Sequence, residues 1–194
     1  MKLIFATNNQ NKVKEFRSLL GDHFEIITLS EAGMDIDIPE PHDTLEENAR
    51  EKSSTIHHIT GENCFAEDSG LEITALNGAP GVLSARYAGE QKEAADNIVK
   101  VLQEMEGEAD RSAQFRTVIS LILNGQEYQF EGICTGQITI APLGEKGFGY
   151  DPIFVPEGAT KTYAEMDLAE KNQYSQRARA FAKFAAFLKQ TTNV

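Results

Sequence analysis

With 194 residues, 41% of them hydrophobic and 25% charged, the chain has the length and balance of one soluble domain with a full core. A formal net charge of −12 argues against the basic stripe that a nucleic-acid polymer requires. It does not exclude a nucleotide, because a few lysines and one metal ion invert the field locally. No run of about 18 apolar residues exists, so no membrane span is expected. Met1-Lys2-Leu3-Ile4-Phe5-Ala6 reaches the polar Thr7 too soon for a signal peptide. Cys64 and Cys134 lie in apolar runs and are expected as free buried thiols in a reducing cytoplasm, a disulfide between them being the alternative.

In chain order, residues 2–6 read as a strand, followed by a turn and a helix from Asn11 with Val13, Phe16, Leu19 and Leu20 at helical spacing, ending near Gly21. Residues 24–29 form a second strand, and the acidic stretch 31–42, with Pro39 and Pro41, a loop. Asp43 or Thr44 caps a helix with Leu45, Ala49, Ile56 and Ile59 on one face, ended by Gly61. Two short strands follow, 64–66 and 71–76, with Gly70 making a sharp turn between them. A helix over 92–106 turns Ala95, Ile98, Val99, Leu102 and Met105 inward. Residues 113–123 and 128–140 form a hairpin around Asn124-Gly125. A glycine-rich loop over 144–152, a strand over 153–155 and a last helix over 173–189, carrying Phe181, Phe184, Ala185 and Leu188, complete the chain. Helices mixed with hairpin and crossover strands imply a mixed sheet within one domain.

Glu67-Asp68 directly follows the apolar Cys64-Phe65-Ala66. Carboxylates placed there cost desolvation energy unless paired, and a divalent metal is the usual partner, which points to metal-assisted chemistry on a phosphate. Thr7-Asn8-Asn9-Gln10-Asn11-Lys12 joins a strand to a helix N-terminus, a natural phosphate site; a capped turn with a solvated lysine fits the same spacing. Glu46, Glu47 and Asn48 suit a helix start, Lys52 follows one turn later, and Glu40 stands apart in the proline-flanked loop. Phe148-Gly149-Tyr150-Asp151 can wrap a ring or simply turn the chain. Lys171 and Arg177 suit phosphate, base or a helix surface. His23, His42, His57 and His58 suggest no Ser/His/Asp set.

These motifs together resemble the non-canonical purine nucleoside triphosphate pyrophosphatases, the inosine triphosphate pyrophosphatase family. The resemblance is collinear from Thr7 to Arg177. It runs through Ala6-Thr7-x-Asn9-x-x-Lys12-x-x-Glu15, Glu40 with Glu47-Asn48-Ala49-x-x-Lys52, Asp68-Ser69-Gly70-Leu71, Gly78-Ala79-Pro80-Gly81-x-x-Ser84-Ala85-Arg86-Tyr87, Gly147-Phe148-Gly149-Tyr150-Asp151-Pro152, and Glu170-Lys171-Asn172 to Arg177. It implies an elongated two-lobed α/β domain spanning the chain, with a mixed twisted sheet flanked by helices, a central cleft, and a cytoplasmic homodimer. The implied reaction cuts ITP, dITP or XTP between the α- and β-phosphates.

By the same resemblance, Thr7, Asn8, Asn9, Gln10, Asn11, Lys12 and Lys52 would hold the triphosphate. Glu40 and Asp68 would bind Mg2+ with Glu67 in reach, and Asp68 would orient or deprotonate water. Ser69, Phe148, Gly149, Tyr150, Asp151, Lys171, Gln176 and Arg177 would complete the nucleotide site. One departure stands out: the family's Ser-His-Arg is Ser175-Gln176-Arg177 here, and a glutamine amide both donates and accepts. Two other readings compete: a Maf-like pyrophosphatase of pyrimidine or modified nucleotides, and a non-catalytic nucleotide sensor.

Overall fold

The computed structural model describes residues 1–19 and 24–192. Leu20 and Gly21, expected to close the first helix, and His23 lie outside the described residues. Strand β1 (Lys2–Phe5) leads through a polar turn into helix α1 (Gln10–Leu19), and β2 (Glu25–Thr28) pairs with β1 in parallel, Lys2 opposite Glu25. Helix α2 (Leu45–Thr60) precedes β3 (Cys64–Ile73), which is also parallel to β1. After helix α3 (Ala94–Glu104), strands β4 (Ser112–Leu123) and β5 (Gln126–Ile138) form the expected hairpin, with both turn residues, Asn124 and Gly125, at positive φ. Strand β6 (Phe154–Pro156) pairs antiparallel with β5, and helices α4 (Leu168–Asn172) and α5 (Gln176–Thr192) end the chain. The sheet is mixed and α/β as expected, in the order β2-β1-β3-β4-β5-β6. Among the described residues no helix is long and apolar enough to cross a membrane.

The chain divides into two compact units. The first comprises Met1–Asp68, Thr117–Gly132 and Arg177–Val194. Its core on one face of the sheet is aromatic: Phe5 stacks on Phe65 at 4.4 Å, and Phe16 of α1 with Phe181 and Phe184 of α5 close around them. On the other face Ile56 of α2 packs with Ile4, Cys64 and Ala66. Burial pushes the Cys64 thiol up to about 12, and its Sγ donates to the Ser53 carbonyl; Cys64 and Cys134 are both free and buried, as expected. The second unit, Ser69–Arg116 with Ile133–Gln176, builds its core from Ile73, Val101, Phe115, Phe154 and Tyr163.

Several expectations need correction. The two short strands after α2 are one continuous strand, β3, so Gly70 makes no turn. Its lack of a side chain serves another purpose: a Cβ there would sit 2.6 Å from the Gly81 carbonyl oxygen. The loop is drawn against β3 because the Ile73 amide donates to Ala79 and the Leu71 amide to Ser84 Oγ. Gly70→Ala is therefore expected to cost about 1–3 kcal/mol, backbone against backbone, read as a melting temperature lowered by several degrees.

The inward stripe of α3 is Asn97, Ile98, Val101, Leu102 and Met105, whereas Ala95 and Val99 are exposed. Ile59 also faces solvent. Strand β6 starts one residue later than expected, after a short 3-10 helix over Asp151–Ile153. The last helix, α5, starts at Gln176, three residues later than expected, and an unexpected short helix, α4, precedes it, capped by Asp167 through the Glu170 amide.

Candidate active site

In the first unit, three elements bring polar groups together. The turn after β1 is organised by its own side chains: Thr7 Oγ1 accepts from the Asn9 amide, and Asn9 Oδ1 from the amides of Asn11 and Lys12. Asn9 thus caps α1, while Asn8 Nδ2 ties the turn to the Ile36 carbonyl. Gln10 and Asn11 are exposed. Lys12 is not a solvated lysine; its ammonium lies 2.9 Å from Glu67.

Helix α2 is capped by Thr44, which accepts from the Glu47 amide. The buried Asn48 then grips the preceding loop, its amide accepting from His42 N and donating to His42 O. That grip places Glu40, carried by the same loop, against Lys52 one helical turn on. Lys52 Nζ donates to Glu40 Oε1 at 2.6 Å, the Glu67 carbonyl at 2.8 Å and Asp68 Oδ1 at 3.3 Å, so all three of its protons are used. Burial works against the Lys52 charge, but Asp68 and Glu40 outweigh it and the ammonium is held above its ordinary pKa.

On β3, Asp68 is buried, and burial raises its carboxyl above the usual range against the pull of Lys52 and Lys12. Among the described residues its second oxygen, Oδ2, is buried with no hydrogen-bond partner. Such an orphaned acceptor costs about 1–3 kcal/mol unless something fills the position. Glu67 is wholly enclosed, its Oε1 shared between Lys12 and Arg177 Nη2 at 3.3 Å. Arg177 also pairs with Glu15 of α1.

Among the described residues no group of three or more His, Cys, Asp or Glu side chains forms a metal cage. Glu40 and Asp68 do meet across one ammonium, and Asp68 Oδ2 awaits a partner. Magnesium-type ions are held by one or two carboxylates plus substrate phosphate, not by an all-protein cage, so these residues fit such an ion.

The second unit holds a separate cluster. Lys171 Nζ, buried at the end of α4, pairs with Asp151 Oδ2 at 2.6 Å and lies 5.1 Å from the ring centroids of both Phe148 and Tyr163. The same Asp151 oxygen accepts from the Phe148 amide, which fixes the glycine-rich loop. Tyr163 donates to Gln176 Oε1 at 3.4 Å. Phe148, Gly149 and Ser69 are half-buried. Tyr150 belongs to the core, its hydroxyl donating to the Ser84 carbonyl, so of the two loop aromatics Phe148 is the one able to stack on a ligand.

Lys171 and Arg177 are buried in ion pairs, not helix-surface charges. Glu15 and Tyr163 were not singled out as site residues. An acid between the inward-facing Val13 and Phe16 was the signal for Glu15; nothing marked Tyr163.

A mixed α/β sheet carrying a buried carboxylate with an open oxygen, its other oxygen paired with Lys52, is an arrangement suited to handling phosphate. The chain belongs to the Ham1 family, whose model matches residues 3–187. It is 49% identical to a dITP/XTP pyrophosphatase of Flavobacterium johnsoniae over 98% of this chain and 100% of that one. It is 47% identical to a dITP/XTP pyrophosphatase of Christiangramia forsetii over 97% and 99%. The solved structure of the Staphylococcus aureus Ham1 protein superposes with a TM-score of 0.89 at 40% identity, covering 98% of this chain and 100% of that chain.

Proposed function

We propose that this chain hydrolyses non-canonical purine nucleoside triphosphates, dITP, ITP and XTP, to the monophosphate and pyrophosphate. The observation that carries the proposal is the unpartnered, buried Asp68 Oδ2 beside Lys52 and Glu40. The family membership and the names of the relatives agree with it. In this reading the Thr7-to-Lys12 turn and Lys52 hold the triphosphate, and Asp68 orients the attacking water and takes its proton. A divalent cation held by Glu40 and Asp68, magnesium in our reading, would offset phosphate charge and make that water more acidic. Lys52, already positioned, acts as a fixed charge for the departing pyrophosphate. Ser69, Gly149, Asp151 and Lys171 complete the nucleotide site, with Phe148 offering its ring to the base. We further propose that residues 1–194 act as one domain in a cytoplasmic homodimer, as the resemblance implies.

Gln176 supports the purine preference despite departing from the family's histidine. In this reading the Tyr163 hydroxyl occupies its carbonyl oxygen and leaves the amide NH2 to donate to a substrate. A fixed donor suits a 6-oxo group and mismatches a 6-amino group.

A panel of nucleotides at matched magnesium, with pyrophosphate detection, tests the proposal. The expected kcat/KM for dITP, ITP and XTP exceeds that for ATP by about 10²-fold or more. EDTA is expected to remove the activity. Equal turnover of ITP and dTTP would overturn the purine assignment and favour the Maf-like reading.

A further inference from the structure

We propose that Glu67, although adjacent to Asp68, takes no part in holding the metal and is instead a positioning residue that locks Lys12 and Arg177. Consecutive residues of a strand point to opposite faces of the sheet, and β3 runs unbroken through both acids. The neighbours on each face agree. Phe65 packs with Phe16 of α1 and Phe184 of α5, and Glu67, two residues on, meets Lys12 of α1 and Arg177 of α5. Cys64 and Ala66 pack with Ile56 of α2, and Asp68 meets Lys52 of α2. The paired carboxylates are therefore sorted by strand geometry into two roles.

Glu67 works as a keystone. Its side chain is 0% exposed and its Oε1 receives both Lys12 and Arg177, while Glu15 holds Arg177 from α1. The four charges alternate, Lys12–Glu67–Arg177–Glu15, so each cation is compensated and the start of α5 is tied to α1 and β3. Lys12 enters this chain from the first turn of α1, and its direction depends on Glu67. Losing that carboxylate frees Lys12 and leaves the ion pairs of Asp68 and Glu40 with Lys52 in place.

The inference rests on the reading of Lys12 as a triphosphate contact. Its test combines Mn2+ titration of the protein alone, followed by electron paramagnetic resonance, with steady-state kinetics on dITP. Glu67→Gln is expected to bind Mn2+ within about twofold of wild type and to raise KM about tenfold, with kcat changed less than about threefold. In a Lys12→Met background, Glu67→Gln should add nothing to KM. If Glu67→Gln does not fold, the double variant Lys12→Met/Glu67→Met, which keeps the Arg177–Glu15 pair, is expected to retain full Mn2+ affinity.

Loss of Mn2+ binding in Glu67→Gln or in the double variant, to the extent seen in Asp68→Asn, would overturn the inference. So would KM effects that add independently. An unchanged KM in Lys12→Met alone would instead remove the triphosphate reading of Lys12, while the Mn2+ titration still decides the role of Glu67.

Discussion

Asp68→Asn is expected to lower kcat by about 10²–10⁴-fold, the range of a lost general base, while the nucleotide still binds. Asparagine keeps the shape of the side chain, and its carbonyl can still accept from Lys52, which also retains Glu40 and the Glu67 carbonyl. It cannot take a proton from water, and as a neutral ligand it is a poor partner for a hard cation. Burial already works against the Asp68 charge, so neutralising it removes a desolvation cost and the fold should survive. Pyrophosphate-release kinetics with calorimetric nucleotide binding separate the two effects. Wild-type turnover in this variant would remove Asp68 from the mechanism.

Lys171→Met is expected to cost about 3–5 kcal/mol of stability, because it removes the ammonium paired with the buried Asp151 carboxylate. For a chain of this size that corresponds to a melting temperature lowered by about 6–20 °C. Adding Asp151→Asn should restore most of the loss. It removes the negative charge that Lys171 had balanced, and the amide oxygen can still accept from the Phe148 amide. Thermal unfolding of the single and double variants reads this directly. A double variant no more stable than the single would show that the loss comes from Lys171 packing over Phe148 and Tyr163, not from charge.

The fold was legible where local chemistry decides it. Thr44 and Gly61 mark the ends of α2 as caps do, and Asn124-Gly125 is a turn that favours a hairpin. The sequence misled where tertiary contact decides. Gly70 looks like a turn in isolation, but its conformation answers to the Gly81 carbonyl, eleven residues away in the chain. The α3 stripe was drawn with Ala95 and Val99 because both are apolar. The core took Val101, and Asn97 turned inward to serve the loop, donating to Ala85 O and accepting from the Ala88 amide.

The site shows the same division. The carboxylates and lysines are named by their types and order, and Lys52 lies one turn from Asn48 as the helix requires. Their partners were not legible. Strand alternation separates Glu67 from Asp68 only once β3 is known to be continuous, and the Glu15–Arg177 pair joins residues 162 positions apart. The role of Gln176 depends on Tyr163, which no motif singled out.

The central claim, metal-assisted cleavage between the α- and β-phosphates, is tested most directly by the products of dITP. A single chromatographic time course with magnesium is predicted to yield dIMP and pyrophosphate in equal amounts, with neither formed in EDTA. Formation of dIDP with inorganic phosphate, or turnover unaffected by EDTA, would contradict it.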